Sequence, residues 1–168
     1  CGPLLFLCAI APAAEPGAVI GFYGTPEVDT FNPGVKLYTD RDYVVAECPE
    51  ALRGLPLLRS SINWAAFECL EPGTITILTP DPVHETAKQC SRSAELERAG
   101  FVRIDGGKVF QLFGKQPFDI VRTYRKTLAK GDRLNLRKWA VVIGFSEARP
   151  LQYAAQSWSG NTGELLYN

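Results

Sequence analysis

The chain has 168 residues, 46% of them hydrophobic and 21% charged, the size and balance of one globular domain that can bury a core without disulfides or metals. Lys+Arg and Asp+Glu both number 18, so no nucleic-acid or anionic-membrane partner, which would draw on a basic excess, is expected. The single His rules out metal sites built on two or more imidazoles within one chain, and no cofactor is expected.

Residues 1–14 open with the apolar run Leu4-Leu5-Phe6-Leu7 and end in small residues. Ala11-Pro12-Ala13 fits the small-x-small pattern that signal peptidase requires, and Glu15-Pro16-Gly17 reads as the linker after the cut. The run is far short of the ~20 apolar residues that span a bilayer. The expectation is a remnant signal peptide over 1–14 and a secreted or periplasmic domain; a buried N-terminal strand is the other reading. Leu7 before Cys8 is too large for a lipid-attachment site. With Cys1 and Cys8 removed, Cys48, Cys69 and Cys90 remain. They allow one disulfide and a free thiol, or three unpaired thiols.

Residues 15–34 are dense in Pro and Gly and are predicted to be a lead-in with little regular structure. The predicted β-sandwich domain covers 35–145. Val35-Lys36-Leu37-Tyr38 and Tyr43-Val44-Val45 favour strands, and Pro49, Gly54 and Pro56 mark a loop with one helical turn near Glu50-Ala51-Leu52. Residues 64–70 form a strand, Glu71-Pro72-Gly73-Thr74 a turn, and Thr74-Ile75-Thr76-Ile77-Leu78-Thr79 a second strand, together a predicted hairpin. One short helix is expected over 91–99, with Gly100 as its left-handed cap. Strands follow at 101–104 and 109–113 around the hairpin-type turn Asp105-Gly106-Gly107. Further strands are expected at 118–128 and, after Lys130-Gly131-Asp132, at 133–136. Residues 139–145 are nearly all apolar, as in a strand buried on both faces. Residues 146–168 read as a loose tail. Short strands separated by turn residues predict an all-β, antiparallel, jelly-roll-like sandwich with one covering helix.

The motifs that carry chemistry are sparse. Gly144-Phe145-Ser146-Glu147-Ala148 looks like a nucleophile elbow, but that chemistry needs a His after the Ser, and the one His, His84, precedes it. His84-Glu85 is read as a surface loop. Asp40-Arg41-Asp42 is the segment to watch: two carboxylates two residues apart could share a strand face and act as a glycosidase pair, hold calcium or clasp Arg41, or form a charged edge. Trp139 leans to the core, Trp64 is ambiguous, and Trp158 lies in a polar setting suited to an exposed aromatic. Arg122, Arg125, Lys126, Lys130, Arg133, Arg137 and Lys138 read as a solvated face.

The layout of Leu37-Tyr38-Thr39-Asp40-Arg41-Asp42-Tyr43, Pro49-Glu50-Ala51-Leu52-Arg53-Gly54, Leu57-Leu58-Arg59-Ser60 and then Lys130-Gly131-Asp132 and Lys138-Trp139-Ala140-Val141 is similar to small β-sandwich accessory domains of secreted bacterial glycan-processing proteins. The resemblance covers roughly residues 35–145, fixes no site residues, and implies an ancillary or binding role. The residues themselves leave three expectations. The first is a non-catalytic module that binds a glycan or the cell envelope, with Asp40, Arg41, Asp42, Trp64 and Trp158 as ligand-binding candidates. The second is a small polysaccharide hydrolase using Asp40 and Asp42. The third is a structural envelope protein that uses its sheet for protein contacts.

Overall fold

The computed structural model describes residues 15–151 and the backbone of 166–167. Among the described residues, twelve strands form two sheets. The first sheet holds, in spatial order, β11 (Glu147–Pro150), β1 (Val19–Phe22), β4 (Trp64–Glu71), β9 (Arg133–Arg137) and β12 (Leu166–Tyr167). The second runs β2 (Glu27–Thr30), β3 (Pro56–Arg59), β10 (Val141–Ile143), β5 (Gly73–Pro80), β8 (Ile120–Leu128) and β6 (Val102–Arg103), and β7 (Phe110–Gln111) also pairs with β8. The pairing is antiparallel except between β1 and β11, which run parallel. Two short helices, α1 (Glu85–Lys88) and α2 (Ser93–Arg98), follow β5. The protein is an all-β sandwich.

Strand alternation builds the core between the sheets. From β4, Ala65, Phe67 and Cys69 point inward; from β5, Ile75 and Ile77 do; Tyr124 and Leu128 of β8 and Leu134 and Leu136 of β9 meet them. The predicted helix exists, shortened to α2, and its Leu96 caps this core beside Tyr124. Gly100 takes a φ of +82°, as its cap position demands.

The opposite face of the seven-stranded sheet is also buried. Leu57, Leu78, Val121, Val141 and Ile143 pack under Phe31, Leu37, Tyr38, Val45 and Leu52 from the long segment between β2 and β3, and under Leu112 and Phe113. This explains the apolar run at 139–145: Val142 faces the inter-sheet core while Val141 and Ile143 face the outer one. The segment meant to supply the first two strands is mostly this cover. It contributes the single bridges Lys36–Val44 and Tyr38–Ser60, because its apolar residues are spent on the sheet face beneath it.

The hairpin expected at residues 64–79 does not form. Pro72 and Gly73 carry the chain from one sheet to the other: β4 pairs with β1 and β9, and β5 with β10 and β8. The corner is tight enough that a Cβ on Gly73 would lie 2.5 Å from the Ala18 nitrogen. Likewise β6 and β7 do not pair with each other around Asp105-Gly106-Gly107. Both lie along the free edge of β8, at Tyr124–Arg125 and Ile120–Val121 respectively. The lead-in 15–34 contains β1 and β2, and residues 146–150 contribute β11, so both sheets draw strands from outside 35–145. Local composition hid β1 because Val19-Ile20-Gly21-Phe22 is only four residues long, flanked by Pro and Gly. Its burial comes from partners at β4 and β11, far along the chain. The residues 1–14 read as a signal peptide lie outside the described residues.

Candidate functional site

The predicted Asp40-Arg41-Asp42 segment is a clamp. Asp40 accepts the Ile62 N–H at 2.9 Å through Oδ1 and the Ser61 hydroxyl at 2.7 Å through Oδ2. These donors hold its carboxyl below the usual carboxylate range, the Ile62 N–H acting most strongly. Arg41 Nη1 turns back onto the Asp40 carbonyl at 2.7 Å. Asp42 instead takes the Lys36 ammonium at 2.6 Å, and that hydrogen bond and charge lower its carboxyl too. The two carboxylates are engaged with different partners, and neither is raised as a general acid must be. Among the described carboxyls, Asp119 is the one burial raises, and at 2% exposure it is out of reach of a substrate.

Asp40 and Trp64 do come together, through Ser61. Ser61 bonds Asp40 and bridges to Trp64, which points outward from the first position of β4. Trp64 is 37% exposed and walls a depression of about 170 Å³, whose lining includes Tyr23, Thr25, Thr39, Ser60 and Ser61. The site is an aromatic face set against hydroxyls. It is smaller than the ~300–1,000 Å³ of drug-sized sites and suits a single ring. Trp158 lies outside the described residues.

Trp139 is half-buried. It follows Lys138 through two successive positive φ angles, 39° and 62°, a conformation bulky residues avoid. The turn is held by the Lys138 N–H on the Asn63 carbonyl and the Trp139 N–H on the Ile62 carbonyl, at 3.2 and 2.9 Å. It lays the indole parallel to Phe113 and Tyr43, at centroid distances of 5.8 and 5.9 Å, and against Phe118 at 5.1 Å. These rings roof the outer core, above the buried Tyr38 hydroxyl and Asp119 Oδ1, which have no partner among the described residues. Burial raises the Tyr38 phenol.

Of the remaining candidates, His84 starts α1, where its carbonyl accepts the Ala87 and Lys88 N–H groups. Ser146 bonds the Ala18 carbonyl and is followed by β11 instead of a helix. Cys48, Cys69 and Cys90 are free thiols on separate parts of the fold, so the possible disulfide is not formed. Cys69 sits in the inter-sheet core; Cys48 packs against the outer one. No group of three or more His, Cys, Asp or Glu side chains is placed to hold a metal among the described residues. No helix there is long and apolar enough to cross a membrane.

The basic cluster is not one solvated face. Arg122 pairs with Asp81 at 2.7 Å, Arg133 with Glu68 at 3.0 Å, and Lys126 donates to the Ala99 carbonyl at 2.7 Å. Among the described residues, Arg125 makes one 3.3 Å bond, from Nε to Thr76 Oγ1. It stands between two larger depressions, of about 470 and 490 Å³. Sequence reading grouped it with its neighbours because only the pairing of β8 with β5 and β6 shows which face each basic residue takes.

These features define a β-sandwich in which the Asp40 and Asp42 carboxylates are engaged with separate partners. The chain matches no protein-family model and none of the curated proteins searched. Among solved structures it is similar to part of a GH138 enzyme targeting pectin rhamnogalacturonan II, with a TM-score of 0.52 and 13% identity over 87% of this chain and 18% of that one. A β-glucuronidase from glycoside hydrolase family 2 matches with a TM-score of 0.46 and 15% identity, over 74% of this chain and 14% of that one. The chain therefore spans less than a fifth of either enzyme. The first likeness is one of fold: a sandwich of this kind occurs as a section of a much larger enzyme.

Proposed function

We propose that this chain is an exported, non-catalytic β-sandwich module that binds, or helps a catalytic partner bind, a glycan or another component of the cell envelope. The observation that carries the reading is the Trp64 depression, where an exposed indole faces a wall of hydroxyls. Sugars are recognised by such pairs, the ring faces stacking on an aromatic and the hydroxyls exchanging hydrogen bonds. The fold's likeness to a section of an enzyme that targets pectin is in keeping with it, as is the signal-like segment 1–14. A hydrolase built on Asp40 and Asp42 is disfavoured because both carboxyls are held low by their partners.

The test is a binding screen of the protein against a glycan array and insoluble polysaccharides, with Trp64→Ala and Trp158→Ala alongside. Saturable binding that Trp64→Ala abolishes is expected. Binding lost only in Trp158→Ala would move the site away from β4. Absence of binding to every glycan would sink the reading in favour of protein contacts through the sheets.

A further inference from the structure

The outer face of the seven-stranded sheet is covered unevenly. One register row crosses it from Leu57 through Ile143, Thr76 and Arg125 to Val102. At one end Leu57 and Ile143 are fully buried under the segment that joins β2 to β3. That cover stops at the short helical turn Glu50–Leu52. Thr76 is buried too, but at the far end of the row Arg125 and Val102 are exposed, Val102 at 66%.

A groove of about 490 Å³ occupies this open end. Leu52 and Ala51 form one wall, Ile104, Val109 and Phe110 the other, and Thr123 and Arg125 the floor. Its aliphatic rim is exposed, Ile104 at 38% and Val109 at 39%. Its charge is one-sided. Asp105, the carboxylate in the lining, is consumed by Arg103 at 2.6 Å and by the Gly107 and Thr123 N–H groups at 2.8 and 3.1 Å. Among the described residues, Arg125 engages only its Nε, on Thr76. Lys108, also in the lining, has no side-chain partner among the described residues. Two cations thus line a largely apolar groove whose one carboxylate among the described lining residues, Asp105, is already engaged.

We infer that this groove is a second binding site, distinct from the Trp64 depression, for an acidic sugar: a uronate unit whose carboxylate meets Arg125 and Lys108 and whose ring lies along the aliphatic wall. The free edge of a guanidinium offers two parallel N–H donors that match a carboxylate. A neutral sugar would leave both cations unanswered. A purely apolar ligand would strip water from them without replacing its hydrogen bonds, which is unfavourable. The assignment to a sugar acid rests on the glycan reading proposed above; the assignment of an anion rests on the groove alone.

The experiment is calorimetric titration of the whole chain with three probes: trigalacturonic acid, its carboxyl-reduced neutral counterpart, and hexanoate. Wild type, Arg125→Gln, Lys108→Gln and Trp64→Ala are compared, with thermal unfolding confirming that each is folded. Trigalacturonic acid is expected to bind and its reduced counterpart to bind at least tenfold more weakly. Arg125→Gln should weaken the acid by roughly tenfold or more, since a charge-assisted hydrogen bond is lost. Lys108→Gln should weaken it less and reduce its salt dependence. Acid binding untouched by Arg125→Gln overturns the inference, as does failure of the acid to bind. Hexanoate binding as tightly as the acid overturns the sugar assignment while keeping the anion. Neutral-glycan binding that only Trp64→Ala removes, with no acid binding, overturns this inference and leaves the proposed function standing.

Discussion

Replacing Gly73 with Ala tests the corner on which the two sheets are joined. The new methyl would lie 2.5 Å from the Ala18 nitrogen, 2.6 Å from the Gly17 carbonyl carbon and 2.7 Å from the Ala18 Cα. All three are backbone atoms, so no side chain can swing aside. Relief requires the start of β5 to part from the strand leading into β1 by half an ångström or more. Two hydrogen bonds resist that movement: the Ala18 N–H on the Thr74 carbonyl and the Thr74 N–H on the Pro16 carbonyl, both at 2.9 Å. Overpacking against an unyielding core costs about 1–3 kcal/mol, and each loosened hydrogen bond adds roughly 1 kcal/mol. The expected loss is about 3–5 kcal/mol, or roughly 10–15 °C in Tm for a domain of this size. Urea unfolding followed by tryptophan fluorescence measures it. Gly106→Ala is the control: nothing lies within 4 Å of its Cβ position, and its φ is +62°, so it should cost only the left-handed penalty of about 1–2 kcal/mol. If Gly73→Ala unfolds within 0.5 kcal/mol of wild type, the close approach of 17–18 to 73–74 is not real and the sheet exchange at this corner must be redrawn.

The turn at residues 138–139 separates strain from packing. Lys138→Asn, at φ 39° with an exposed side chain, should stabilise the protein by up to about 1 kcal/mol. Trp139→Gly should destabilise it by about 3 kcal/mol or more despite relieving a positive φ, because the indole packs on Phe113, Tyr43 and Phe118. Asp119 and Asp40 should give opposite pH signatures. Burial raises the Asp119 carboxyl, so the native state holds that proton more tightly than the unfolded chain. Its contribution is full below the unfolded value, about 3.9, and is lost as pH rises through the folded one. Asp119→Asn should therefore flatten the decline of stability as pH rises above about 4, and a profile parallel to wild type would refute this. Asp40 is lowered, so its contribution is present above the unfolded value and lost as pH falls through the folded one. Asp40→Asn should cost stability at pH 7, and that cost should shrink as pH falls below the unfolded value of about 3.9, by the same urea measurement; a cost that does not change with pH would refute the clamp.

Much of the architecture was legible along the chain. Period-2 alternation marked β5 and most of β8, the nearly all-apolar stretch 139–145 marked a strand buried on both faces, and Gly100 marked the end of α2. These signals are local because strand alternation and a helix cap depend on neighbours within a few residues. What each strand pairs with is not local. The alternation at 64–79 is the same whether β4 and β5 form a hairpin or part into different sheets, and it is their partners elsewhere along the chain, β1 and β9 for β4 and β10 and β8 for β5, that decide it. Burial of 35–45 likewise reads as strand, since an apolar residue packed over a sheet and one within it look alike in sequence. The candidate sites divide the same way. Residue type singled out Asp40 and Trp64. Their meeting at Ser61, the neutralisation of Asp105 by Arg103, and the release of Arg125 into an open groove depend on register between strands tens of residues apart, which composition and spacing do not encode.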